Sequence, residues 1–71
     1  MAHSIFIRDL GNFGGRRPQL LACDIFSRTE AETLVRNIAT AYRDHGLNPA
    51  TAVYWFCYNG SVHEIYVWPD G

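Results

Sequence analysis

The chain has 71 residues, 48% of them apolar and 14% aromatic, with six arginines, no lysine and seven acidic side chains for a formal net charge of −1. That length holds one small domain and that composition is too apolar for a disordered chain. The lack of a basic excess argues against a generic nucleic-acid binder, and no apolar run approaches the roughly 18 residues of a membrane span.

A chain this short buries only about 60–65% of the surface its unfolded form exposes, so its stability margin is thin. Such domains gain from a disulfide, a metal or an oligomeric partner. The cysteines, Cys23 and Cys57, lie in apolar strand-like stretches and read as two buried thiols rather than a disulfide framework. The opening "MAHSIF" has neither a basic n-region nor a long apolar h-region, so a cytoplasmic address is expected.

Residues 3–10, "HSIFIRDL", are β-branched and aromatic and predict a first strand, with Ile5 and Ile7 on one face and Phe6 on the other. "GNFGGRR" follows as a glycine-rich loop. Residues 18–26 predict a second strand opened by Pro18, which suits a first or edge position. Its cleaner apolar face is Leu21, Cys23 and Ile25, expected to turn toward the core.

A helix is predicted over residues 28–45. Ala31, Leu34, Val35, Ile38, Ala39 and Tyr42 recur at spacings of three and four. Ser27-x-x-Glu30 and Thr29-x-x-Glu32 are capping boxes, and Phe26 is placed to staple onto Ala31. Glu32 and Arg36 stand in the favourable i, i+4 order. Gly46 reads as the left-handed residue that ends the helix, with Asn48-Pro49 blocking continuation.

Residues 51–58 and 61–68 predict a hairpin about Asn59-Gly60, the pair that best tolerates a type I′ turn. A two-residue loop pairs Tyr58 with Ser61. Ala52, Tyr54, Phe56 and Tyr58 then share a face with Ser61, His63, Ile65 and Val67. Thr51, Val53, Trp55 and Cys57 share the other with Val62, Glu64, Tyr66 and Trp68. The expected fold is α+β, in the order β-β-α-β-β, a four-stranded mainly antiparallel sheet with one helix on one face.

No convergent catalytic set emerges. Cys57 and His63 have opposite parity in the hairpin, so they cannot approach the ~3 Å that a nucleophile and its base require. His63 and Glu64 also point opposite ways. His3, His45, His63 and the cysteines lack paired-ligand spacing. No enzyme activity, metal or cofactor is expected.

Both hairpin faces are apolar at their centres, and one helix covers only one. Val53, Cys57 and Val62 are compact and would fit beneath an Ala/Leu/Val/Ile stripe. The expected open face is therefore Tyr54, Phe56, Tyr58, His63, Ile65 and Val67, a surface for self-association as a homodimer, or for another protein. The alternative is nucleic-acid or phosphate binding, with bases stacked on the aromatic face and Arg8, Phe13, Arg16 and Arg17 supplying loop and phosphate contacts.

Overall fold

The computed structural model describes residues 2–11 and 17–69. Five strands and one helix follow in order: β1 (His3–Asp9), β2 (Gln19–Ile25), α1 (Arg28–Thr40), β3 (His45–Asn48), β4 (Val53–Tyr58) and β5 (Ser61–Trp68). The fold is α+β, as its residues predict, with a sheet of five strands rather than four. All neighbours are antiparallel, in the order β2-β1-β5-β4-β3. The helix carries the chain from the β2 edge to the β3 edge. Its 13 residues span about 20 Å at 1.5 Å each, close to the width of five strands near 4.8 Å spacing.

The helix starts where its cap places it. Ser27 is the N-cap, and its Oγ accepts a hydrogen bond from the Glu30 N–H at 3.2 Å. Phe26 does not staple onto Ala31; it is 80% exposed. The helix also stops earlier than its apolar period suggests, with Ala41 as C-cap. The Asp44 carbonyl accepts the Cys57 N–H at 2.8 Å, and residues 45–48 then pair with β4. Gly46 is thus a strand residue, and the residues expected to end the helix form the fifth strand.

Beyond β3 the chain turns on Asn48. Its side-chain oxygen accepts the Ala50 N–H at 3.0 Å and its carbonyl accepts the Ala52 N–H at 2.7 Å. At the next hairpin Asn59 and Gly60 have φ of 54° and 80°, the backbone a type I′ turn requires. The predicted register holds: Tyr58 faces Ser61, Phe56 faces His63 and Trp55 faces Glu64.

Strand β2 departs from simple alternation. His3 pairs with Ile25 but Ile5 pairs with Ala22, and Phe6 pairs with Leu20. Two bulges therefore lie on β2, and Asp24 in the first has φ of 59°. They shift the face parity, so Ala22 and Ile25 reach the core while Leu21 and Cys23 are exposed. The expected Leu21–Cys23–Ile25 face is corrected accordingly.

The core is small. Ile5, Ala31, Val35, Ala39, Phe56 and Ile65 are its buried apolar residues. Ile7, Ala22, Ile25, Ile38, Tyr42, Tyr54 and Val67 pack partly buried around them. Phe56 is 1% exposed and Ile65 0%, so the helix covers the face that carries Tyr54, Phe56, Ile65 and Val67. Size complementarity explains this choice. The helix stripe offers small residues, Ala31, Val35 and Ala39, and these leave room for large sheet side chains.

Candidate functional interface

The face assignment corrects the expected interface. Tyr54, Phe56, His63, Ile65 and Val67 belong to the helix-covered side. Phe56 stacks on Tyr42 of the helix end at 4.1 Å between ring centroids and 12° between planes, and on His63 at 5.3 Å. Tyr58, at the end of this cluster, is edge-on to Tyr42 at 5.9 Å and remains exposed. His63 Nδ1 lies 3.8 Å from the Asp9 carboxylate.

The helix-free face is built from the alternate residues. Register places Ser4, Phe6 and Arg8 of β1 beside Trp68, Tyr66 and Glu64 of β5. Val62, Glu64 and the edge of β5 continue onto Cys57 and Trp55 of β4, and Trp55 meets Gly46 of β3. Leu20 of β2 pairs with Phe6. The central strands β1, β5 and β4 thus carry four aromatic side chains on one surface: Phe6, Trp55, Tyr66 and Trp68.

Two local arrangements give this surface its shape. Phe6 and Tyr66 stack with ring centroids 6.1 Å apart and planes at 24°. With Pro18 and Trp68 they line a shallow apolar notch of about 310 Å³. Trp68 is 58% exposed and Leu20 57%. In the middle of the sheet, the Arg8 guanidinium donates to the Glu64 carboxylate. That hydrogen bond raises the Arg8 pKa above its already high ordinary value, against a smaller opposing effect of burial. The pair therefore adds no net charge to the apolar surface.

Of the residues expected to contact an anion, Arg8 is engaged by Glu64 on the sheet and Arg17 is exposed beside Pro18. Phe13 and Arg16 lie outside the described residues. Cys57 and His63 occupy neighbouring strands at non-facing positions on opposite faces, because Cys57 pairs with Val62 and His63 with Phe56. Both cysteines are free thiols, Cys23 exposed on bulged β2 and Cys57 half-buried on the helix-free face. Among the described residues no group of three or more His, Cys, Asp or Glu side chains is arranged to hold a metal ion, and no helix is long and apolar enough to cross a membrane.

Sequence parity identified the two candidate hairpin surfaces, and the structure selects the one containing Trp55, Tyr66 and Trp68. Phe6 joins them through the β1–β5 pairing, a long-range contact with no local signal. Compared with known proteins, the chain matches no family model, no curated protein and no solved structure.

Proposed function

We propose that this protein is a small non-enzymatic interaction module that self-associates as a homodimer through its helix-free sheet face. The observation that carries the reading is the aromatic surface of half-buried Phe6, Trp55 and Tyr66 with exposed Trp68, which no helix or strand among the described residues covers. Tyr and Trp are the residues that interfaces favour, and contiguous apolar patches mark contact surfaces.

Four features favour a second copy as the occupant. Arg8 and Glu64 are neighbours on the face, so a two-fold axis beside them sets each arginine against the partner's glutamate; an isologous interface needs such self-complementarity. The accessible surface of 5085 Å² exceeds the roughly 4,500 Å² typical of a folded monomer of this mass by about 600 Å², somewhat below the ~800 Å² each partner contributes to a standard interface. A net charge of −1 imposes little self-repulsion. The sheet edges are poor alternatives, since β2 is bulged and β3 has four residues, both devices that discourage edge pairing.

Stacking of single-stranded nucleic acid on Phe6 and Tyr66 is the second reading, favoured by their location on adjacent central strands. It is the weaker one because Glu64 neutralises Arg8, a cation on the same face as those rings. Sedimentation velocity across the micromolar range distinguishes the two. A concentration-dependent dimer that Trp68→Glu abolishes and Phe26→Ser leaves intact supports self-association. A monomer that binds single-stranded DNA or RNA with a steep salt dependence supports the second reading.

A further inference from the structure

A second concavity lies at the end of the sheet where the first turns of α1 stand off from β4 and β5, and Tyr66 and Trp68 join it to the rim of the proposed dimer face. It encloses about 470 Å³, within the ~300–1,000 Å³ of small-molecule sites. One wall is a single helical stripe, Thr29, Glu32, Thr33 and Arg36, at spacings that place all four on one side. The opposite wall is Val53 and Tyr54 of β4 with Val67 and Trp68 of β5. Val35 and Ile65, both core residues, form an apolar floor.

The charge arrangement in this cleft differs from the one the sequence suggests. Glu32 would neutralise Arg36 if the i, i+4 pair formed in that order. Instead Arg28 Nε donates to Glu32 Oε2 at 3.1 Å, so the carboxylate is drawn one turn back toward the helix start. Among the described residues the Arg36 guanidinium then has no carboxylate partner. A guanidinium fork bordering an apolar-floored cleft, with Thr33 and Tyr54 in facing walls, matches a planar or tetrahedral anion attached to an apolar body.

We infer that the α1–β4–β5 cleft binds a small organic anion, an aryl or alkyl carboxylate or phosphate monoester, with Arg36 engaging the anionic head and Val35, Val53 and Val67 receiving the apolar body. The inference does not rest on self-association: its anion contact, Arg36, stands on α1, although Tyr66 and Trp68 line both this cleft and the notch beside Phe6.

Benzoate and phenyl phosphate are the probes, with neutral benzamide as the control, titrated at constant ionic strength into ¹⁵N-labelled protein. Saturable shifts centred on the amides of Thr33, Arg36, Tyr54 and Val67 are expected for both anions and not for benzamide. Arg36→Gln weakens binding by about tenfold or more, and Arg36→Lys by less, since charge survives while the bidentate fork is lost. Arg36 is an exposed helix residue, so both variants fold, and their undisturbed spectra establish that. The inference is overturned if neither anion saturates by about 20 mM, far above a ~1 mM dissociation constant. It is overturned equally if benzamide shifts the same amides, if Arg36→Gln binds unchanged, or if the shifts centre outside the cleft.

Discussion

The indole of Trp55 rests on the backbone of Gly46: a Cβ built on that glycine would stand 2.6 Å from Trp55 Cζ2 and 2.9 Å from Nε1. Gly46 is in β3 directly opposite Trp55 in β4, and its missing side chain is the space the ring occupies. Gly46→Ala must therefore displace the ring. A forced rotamer or overpacked contact costs about 1–2 kcal/mol, and the displaced indole reshapes the helix-free face. Urea unfolding followed by tryptophan fluorescence should show a lower midpoint and an altered native emission maximum. An unchanged midpoint would mean that the ring does not depend on this glycine.

The two hairpin faces should respond oppositely to truncation. Phe56→Ala removes a ring that is 1% exposed and stacked on Tyr42, which costs about 3–5 kcal/mol. Total stability for this length is only about 4–10 kcal/mol, so the variant should lose about a third or more of it, read as a strongly lowered urea midpoint by circular dichroism. Trp68→Ala, at 58% exposed, should cost under about 1 kcal/mol in the monomer. Equal losses at the two positions would reverse the face assignment.

Gly60 isolates backbone strain from packing. Its φ is +80°, and a Cβ there meets nothing within 4 Å. Gly60→Ala should therefore lose about 1–2 kcal/mol through left-handed strain alone. D-alanine introduced by chemical synthesis should leave stability near wild type, because its φ preference has the opposite sign. Equal destabilisation by both enantiomers would contradict that account.

The Arg8–Glu64 pair carries a pH signature. The Arg8 pKa is raised, chiefly by its hydrogen bond to Glu64. A raised folded-state value means that this arginine's contribution is complete below its unfolded pKa and is lost only as pH climbs through the folded one. For a guanidinium that window lies in strong alkali, so the pair persists unchanged from neutrality to about pH 10. Arg8 is 41% exposed, which limits the coupling to roughly 0.2–1 kcal/mol. A double-mutant cycle of Arg8→Gln and Glu64→Gln at pH 7 and pH 10 should return the same small coupling at both. A coupling that vanishes by pH 10 would refute it.

Much of this architecture is legible in local chemistry. Asn59-Gly60 sets the hairpin register, and Ser27 with Glu30 sets the helix start, because each works within four residues. The missed features are non-local or too short to show a period. Strand β3 has four residues, too few for alternation, and Gly46 imitates a helix terminator while serving Trp55 across the sheet. The β2 bulges at Leu21 and at Cys23–Asp24 invert parity without a proline or glycine to mark them. Matching like with like, compact sheet residues under a compact helix stripe, points to the wrong open face. Packing instead sets large Phe56 and Ile65 against small Ala31, Val35 and Ala39, and leaves Trp55, Tyr66 and Trp68 outside.

The two free thiols offer the most direct test of the proposed dimer, since Cys57 lies on the helix-free face and Cys23 on the bulged edge strand. Labelling rates with a thiol reagent, followed residue by residue from nanomolar to high micromolar protein, report association and face together. The account predicts that Cys57 becomes progressively protected with concentration while Cys23 labels at a constant rate, and that Trp68→Glu removes the protection. Cys57 labelling at one rate across the whole range, or protection of Cys23 in its place, would contradict it.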